Sequence, residues 1–188
     1  RAKIFGAMER LRFGLALLAF APLAWSLDNG VSLTPPMGWM TWQRYRCNED
    51  CSGEMAGRCI NEQLIKEMAD RLAEDGWRDA GYDQVSIDDC WALEERDAQG
   101  QQVADPKRFP SGMAALGDYI HRRGLKFGTY SDIGSQTCAG KVGLQGHFDQ
   151  DAKTFASWGV DYIKVDGCNE KLEDMQRDYP AFGAALNR

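Results

Sequence analysis

The chain has 188 residues, of which 44% are hydrophobic and 27% charged, a composition typical of a globular protein with one sizeable core. Its formal net charge of -6 at pH 7 argues against nucleic acid or an anionic membrane as a partner.

The N-terminal stretch has the pattern of a secretion signal. Two arginines precede an apolar run over residues 13–25, which is too short to span a bilayer, and Ala24-Trp-Ser26 matches a small-x-small cleavage site. We therefore expect residues 1–26 to be a signal-peptide region that is cut after Ser26. Met8 is the expected start of translation, and residues 1–7 are then untranslated or non-native sequence. No other run is long or apolar enough for a membrane helix.

The six cysteines are expected to form disulfides, because a secreted protein matures in an oxidising compartment. They are Cys47, Cys51, Cys59, Cys90, Cys138 and Cys168. Six cysteines allow fifteen pairings, and the sequence alone does not choose among them. A zinc site is disfavoured because there is no C-x-x-C pair and the two histidines, His121 and His147, lie far from the first three cysteines. We expect no bound metal.

Four strand-like segments alternate with helical patterns along the mature chain. The predicted strands lie within 34–42 and at 82–88, 125–130 and 160–166, and a disulfide-containing loop at 46–58 follows the first of them. The first predicted helix covers 61–77 and ends at Gly76; the second is capped by Ser111 and ends at Gly124. The third is capped by Asp149 and ends at Gly159, and Pro180 interrupts the last. The helix over 61–77 has the clearest pattern, since its apolar residues fall on one face.

Strands that alternate with amphipathic helices indicate a parallel sheet. The four predicted strands end near Trp42, Asp88, Tyr130 and Asp166, and each of these residues is aromatic or acidic. In a (β/α)8 TIM barrel the carboxyl ends of the strands carry the active site. We predict such an α/β barrel, with about the first four β/α units in this chain. A doubly wound sheet is the alternative, but the glycine-rich phosphate turn that usually accompanies it is missing.

The segment 161–168 is the strongest candidate for chemistry. In a strand, residues two apart lie on the same face, so Lys164 and Asp166 point the same way, and Gly167 allows a sharp turn after them. An ammonium beside a carboxylate favours the charged, nucleophilic form of the carboxylate. Asp166 is therefore the candidate nucleophile.

Further acidic residues are expected at the same edge of the sheet, namely Asp88, Asp89 and Asp132. Carboxylates with aromatic rings and little histidine are typical of a sugar site, where two carboxyl groups supply a nucleophile and a general acid. The alternative is that these residues cap the turns after their strands. The pattern favours that alternative for Asp132 but not for the Asp88-Asp89 pair.

Five short motifs run through residues 27–188. They are Pro35-Pro-Met-Gly-Trp-Met-Thr-Trp42, Ser86-Ile-Asp-Asp-Cys-Trp91, Asp105-Pro-Lys-Arg-Phe-Pro110, Thr137-Cys-Ala-Gly140 and Lys164-Val-Asp-Gly-Cys168. In this order they resemble glycoside hydrolase family 27, and within it the animal lysosomal α-galactosidases and α-N-acetylgalactosaminidases.

The resemblance implies a retaining exo-α-glycosidase without a cofactor, built on a (β/α)8 barrel with a C-terminal β-sandwich domain, in a lysosomal or secreted homodimer. Asp166 matches the nucleophile, which forms a covalent β-glycosyl intermediate. The residues that match the galactose pocket are Trp42, Asp88, Asp89, Tyr130 and Lys164, with the two aspartates on the 4- and 6-hydroxyls. The implied disulfides are Cys47–Cys90, Cys51–Cys59 and Cys138–Cys168.

The general acid/base of the family follows a later strand, and no residue up to Arg188 matches it. The loop that separates galactose from N-acetylgalactosamine specificity also lies downstream. We therefore expect residues 27–188 to be the N-terminal part of the barrel, without the β-sandwich domain, and to be inactive alone. The alternative is a truncated form that binds carbohydrate without catalysis.

Overall fold

A computed structural model describes residues 30–53 and 57–188, so the predicted signal peptide lies outside the described residues. In chain order the elements are strand β1 (Gly38–Met40), helices α1 (Trp42–Tyr45) and α2 (Glu62–Glu74), strand β2 (Gln84–Ser86), helix α3 (Gly112–His121), strand β3 (Lys126–Asp132), helix α4 (Phe148–Ser157), strand β4 (Tyr162–Asp166) and helix α5 (Leu172–Leu186). Across these two ranges, none of the helices combines the length and the apolar character that crossing a membrane requires.

The four strands form one parallel sheet in the order β1-β2-β3-β4. Each strand pairs with the next along the chain: Trp39 lies opposite Val85, and Val85 opposite Phe127. A (β/α)8 barrel requires this sequential order of its first units, whereas a doubly wound sheet reverses its winding direction at a switch point. The predicted fold class, with four β/α units in this chain, is confirmed.

The core lies between the sheet and the helices. Helix α2 begins after Asn61, whose side chain accepts the N–H of Leu64 at 2.8 Å, and the helix buries its apolar face. From the sheet, Val85 and Phe127 are fully buried in the same core. Burying a side chain of this size stabilises a fold by about 1.5–3 kcal/mol.

The other face of the sheet carries the polar side chains of the predicted site. Tyr130 lies opposite Lys164, and Asp132 opposite Asp166, and partners in a parallel pair project to the same face. Lower on this face the strands pack so closely that a Cβ at Gly128 would lie 2.1 Å from the Ser86 hydroxyl oxygen. Only glycine fits there.

Three predicted details of the helices are wrong. Ser111 makes no side-chain capping bond to α3; its N–H instead donates to the carboxylate of Glu62 at 2.9 Å. Asp149 lies inside the first turn of α4, which starts one residue earlier. Helix α5 continues through Pro180, because Phe182 beyond it is buried in the core and keeps the helix packed although proline removes one backbone bond.

A buried ion pair attaches the long connection between β2 and α3 to helix α4. The guanidinium of Arg96 donates two hydrogen bonds to the carboxylate of Asp151, at 2.8 and 2.7 Å, and further bonds to the backbone oxygens of Gly100 and Gly143. Gln102 donates to the same carboxylate at 3.0 Å. The Asp151 side chain is fully buried, so water cannot replace the arginine as its partner.

We expect Arg96→Leu to lower the free energy of unfolding by about 3–5 kcal/mol, because it leaves the Asp151 carboxylate buried without a cation. The matched control is Arg71→Leu, which removes an exposed ion pair with Asp75 and should cost at most about 1 kcal/mol. Urea unfolding of the purified protein, followed by circular dichroism, measures both losses. Equal losses in the two variants would contradict this role of Arg96.

Candidate active site

The ammonium of Lys164 lies at the centre of the polar residues at the carboxyl edge of the sheet. Its Nζ is 2.9 Å from Asp88 Oδ2 and 3.8 Å from Asp166 Oδ2. These two contacts link the end of β2 to the end of β4. The same nitrogen is 5.1 Å from the ring centroid of Tyr130 and 5.7 Å from that of Trp42, both within cation–π range. Four of the predicted site residues therefore contact this one lysine.

Asp88 is buried at the end of β2 in a fixed orientation. Its N–H donates to the hydroxyl of Thr41 at 2.9 Å, which links the ends of β1 and β2. Its Oδ1 accepts the N–H of Asp89, and its Oδ2 accepts the ammonium of Lys164. Because Asp88 is only 1% exposed, its negative charge depends on that ammonium for compensation.

Both oxygens of the Asp89 carboxylate accept hydrogen bonds from backbone N–H groups. Its Oδ1 accepts the N–H of Cys90 at 2.7 Å, and its Oδ2 accepts the N–H of Ala139 at 3.0 Å. Cys90 has a φ of 71°, a left-handed conformation that is uncommon for a residue with a side chain, and its disulfide with Cys47 keeps this turn in place. Each carboxylate oxygen has two lone pairs, so both still have acceptor capacity for a hydroxyl.

Asp166 is the accessible carboxylate of the site. Its side chain is 41% exposed, against 2% for that of Asp88. Tyr130 donates its O–H to Asp166 Oδ2 at 3.2 Å. Burial raises the pKa of the Tyr130 phenol far above its ordinary value, and the charges of Asp89 and Asp166 add to the rise. The phenol therefore stays protonated and acts as a hydrogen-bond donor to Asp166.

The Cys138–Cys168 disulfide lies directly beside Asp166, with the Sγ of Cys138 3.4 Å from Asp166 Oδ2. Asp132 holds the loops that carry this bridge. Its Oδ1 accepts the N–H of Gly134 and its Oδ2 accepts the N–H of Cys168, both at 2.8 Å. Asp132 is fully buried, and burial raises the pKa of its carboxyl group. This is the turn-capping geometry that the sequence favours for Asp132.

The cysteines of the described residues are all paired. The bridges are Cys47–Cys90, Cys51–Cys59 and Cys138–Cys168, the same pairs that the resemblance implies. Two groups of possible metal ligands occur in these ranges, one around Asp89 and one around Asp132. Each group includes disulfide-bonded cysteines, whose sulfurs are not thiolates, so neither group fits a metal ion well.

Two contacts that shape the site have no clear local signal in the sequence. The Thr41 hydroxyl positions Asp88, and its only signal is its place near the predicted carboxyl end of the first strand. A Cβ at Gly167 would lie 2.7 Å from the terminal methyl of Met175 and 3.0 Å from the hydroxyl oxygen of Tyr179, so α5 packs tightly against the turn after Asp166. The sequence predicts a turn at Gly167 but not this close approach of α5.

The chain is similar in sequence and in fold to known proteins. The family described as Alpha galactosidase A matches residues 34–188. The chain is 49% identical over 185 residues to "Alpha-galactosidase A" of Homo sapiens, which covers 97% of this chain and 43% of that protein. It is 52% identical over 162 residues to "Alpha-N-acetylgalactosaminidase" of Gallus gallus, which covers 86% of this chain and 40% of that protein.

A solved structure agrees with the sequence comparison. The crystal structure of alpha-galactosidase I from Mortierella vinacea superposes with a TM-score of 0.77 at 42% identity, and the match covers 86% of this chain and 39% of that one. The chain therefore spans about two fifths of the length of the relatives it matches.

We expect Asp132→Asn to lower the free energy of unfolding by about 1–3 kcal/mol, because the amide must turn its NH2 group toward one of two buried N–H donors. The control is Asp97→Asn. Asp97 accepts the N–H groups of Gln99 and Gln101 with a single exposed oxygen, which asparagine retains, so a change within about 0.5 kcal/mol is expected. Thermal unfolding by calorimetry compares the two variants. A smaller loss for Asp132→Asn than for the control would show that its two acceptor bonds do not matter.

Proposed function

Because the chain belongs to glycoside hydrolase family 27, the α-galactosidase family, we propose that the full-length protein is a retaining exo-α-glycosidase. Its substrates are glycolipids, glycoproteins and oligosaccharides that end in an α-galactosyl or α-N-acetylgalactosaminyl residue. The chain resembles the α-galactosidase and the α-N-acetylgalactosaminidase to nearly the same degree, which supports this substrate class without separating the two sugars.

Asp166 is the nucleophile in this proposal, and its accessibility is the observation that carries it. In the described part of the chain, Tyr130 and Lys164 both approach Oδ2 of the half-exposed carboxylate, so Oδ1 is available for attack. In a double displacement this oxygen attacks the anomeric carbon while the leaving-group oxygen takes a proton. Water then hydrolyses the covalent glycosyl intermediate.

The neighbouring residues bind the sugar in this scheme. Asp88 and Asp89 accept sugar hydroxyls with their remaining lone pairs. The ammonium of Lys164 has three N–H donors, and its two carboxylate contacts leave one for the substrate. The partly exposed ring of Trp42 packs against the apolar face of the sugar, while the buried Tyr130 contributes through its hydroxyl beside Asp166.

The general acid/base comes from outside the described residues in our proposal. A retaining enzyme places its second carboxyl group about 5–5.5 Å from the nucleophile. Asp89 and Asp132 accept backbone N–H groups at both oxygens, and Asp88 is paired with Lys164. These contacts hold each of the three carboxyl groups in place as a hydrogen-bond acceptor, from the loop backbone or from Lys164, so we assign the role of proton donor to none of them.

We propose that the protein reaches the lysosome or the cell exterior through the signal peptide predicted at residues 1–26. The three disulfides support maturation in an oxidising compartment. We also propose that the full-length enzyme is a homodimer.

We expect Asp166→Asn in the full-length protein to lower kcat for an α-galactoside on the order of 10³-fold or more, because the amide cannot form the glycosyl ester. The control is Asp83→Asn. The Asp83 side chain is also 41% exposed, but it lies just before the amino end of β2, where it pairs with Lys126. A fluorinated activated α-galactosyl substrate should label Asp166, as peptide mass spectrometry would detect. Full activity in Asp166→Asn would refute the assignment.

Residues 27–188 expressed alone should show no hydrolysis of an α-galactoside or an α-N-acetylgalactosaminide, because the proposed general acid/base is not among them. Direct assay of the purified chain beside the full-length protein tests this expectation. Turnover by residues 27–188 that Asp166→Asn abolishes would overturn it. Binding of galactose without turnover would agree with the non-catalytic alternative for this chain.

A further inference from the structure

A small basic pocket lies at helix α1, the short helix that begins at Trp42, and its lining residues are not among those assigned to catalysis. It has a volume of about 340 Å³ and is lined by Arg44, Tyr45, Asn48 and Arg58. Arg44 comes from α1, which follows β1, and Arg58 comes from the loop closed by the Cys51–Cys59 disulfide. The two guanidinium groups therefore reach one concave space from two separate segments.

The pocket is built on a braced loop. The backbone oxygen of Asn48 accepts the N–H of Ile60 at 2.8 Å, and its side-chain amide donates to the backbone oxygen of Arg58 at 2.9 Å. Disulfides at Cys47 and Cys51 fasten the same stretch at two further points. A site fixed in this way loses little conformational entropy when it binds a ligand.

The positive charge of the pocket is not neutralised by the part of the chain that is described. Neither Arg44 nor Arg58 forms an ion pair with another described residue, and no described acidic side chain lines the pocket. Two described acids of the same loop have other partners: Glu49 pairs with Arg108 and Lys141, and Asp50 accepts the N–H and hydroxyl of Ser52. Both arginines are exposed, so water can reach them, and two guanidinium groups that face one pocket without an ion pair to a described residue suit an anionic ligand.

A third arginine, Arg46, follows Arg44 by two residues in the chain and lies over the ring of Trp42. The guanidinium carbon of Arg46 lies 5.3 Å from the ring centroid of Trp42, the same ring that Lys164 approaches at 5.7 Å. Arg46 has a φ of 50°, a left-handed conformation that a residue with a side chain rarely adopts. Such backbone conformations cluster at functional sites, where the surrounding structure maintains them.

We propose that this pocket binds an anionic substituent, a sulfate ester or a carboxylate, on the part of the substrate that follows the terminal sugar. The inference rests on the proposed glycosidase function and extends it to a substrate preference. Guanidinium groups match the paired oxygens of both anions. A concave pocket suits one discrete group better than the flat surface of an anionic membrane.

The test compares three α-galactosyl disaccharides as substrates of the full-length protein: one whose second sugar carries a 6-sulfate, one whose second sugar is a uronic acid, and the neutral parent. We expect kcat/KM for the charged disaccharides to exceed that for the neutral one about fivefold to thirtyfold at low ionic strength. Preference for only one of them identifies the anion. Raising the salt concentration to about 0.5 M should reduce the preference, because salt screens exposed charges.

The variant Arg44→Gln/Arg58→Gln should bring the ratio of charged to neutral substrate close to one. Its rate on the neutral disaccharide reports whether the variant is folded. The matched control is Arg71→Gln/Arg122→Gln, which removes two exposed arginines at the C-terminal ends of α2 and α3, and should keep the preference. A ratio near one in the unaltered protein, or a preference that survives the Arg44/Arg58 variant, would overturn the proposal.

These measurements distinguish failure of the anion-binding proposal from failure of the proposed glycosidase function. If the protein hydrolyses none of the disaccharides, the glycosidase function fails, and calorimetric binding of the same three sugars tests the pocket alone. Vesicles of phosphatidylserine and phosphatidylcholine test the alternative ligand, an anionic membrane surface. If the Arg44/Arg58 variant loses vesicle binding while the unaltered protein shows no preference among the sugars, the pocket contacts a membrane and the proposal is wrong.

Discussion

The contact of Lys164 with Asp88 and Asp166 is the interaction on which the carboxyl edge of this sheet depends. Asp88 is 1% exposed, and a carboxylate buried to that extent is costly unless a cation lies against it. Lys164 supplies that cation from 76 residues further along the chain, two strands away in the sheet. The same ammonium reaches the accessible carboxylate of Asp166, so a structural ion pair and a candidate nucleophile share one side chain.

Backbone N–H groups of the loops around this lysine donate hydrogen bonds to buried carboxylates, in addition to the apolar packing of Trp91, Ile133 and Leu144 in the core. Asp89 accepts N–H groups from its own turn and from the loop after β3, while Asp132 accepts them from the loops after β3 and β4. Disulfides at Cys90 and Cys168 add covalent links to the same turns. A site built in this way is preorganised, since its polar groups need little rearrangement when a sugar binds.

The basic pocket beyond Trp42 has a different character from the site itself. Acidic residues at the strand ends are paired with a cation or with N–H groups, whereas Arg44 and Arg58 have no described anionic partner. The two regions therefore offer opposite kinds of recognition. Carboxylates suit the hydroxyl groups of a neutral sugar, and guanidinium groups suit a charged substituent on the next one.

The sequence by itself determined the alternation of strands and helices, the parallel sheet and the place of Lys164 and Asp166 on one face, because these depend on local periodicity. It also indicated that Asp132 caps a turn, since aspartate commonly does so after a strand. Only the tertiary structure decided which oxygen of each carboxylate is occupied, that α5 continues through Pro180, that Arg96 pairs with Asp151, and that Arg44 and Arg58 share a pocket. Those features either join residues that are distant in the chain or depend on packing that offsets a local preference. A local sequence pattern predicts neither kind of feature.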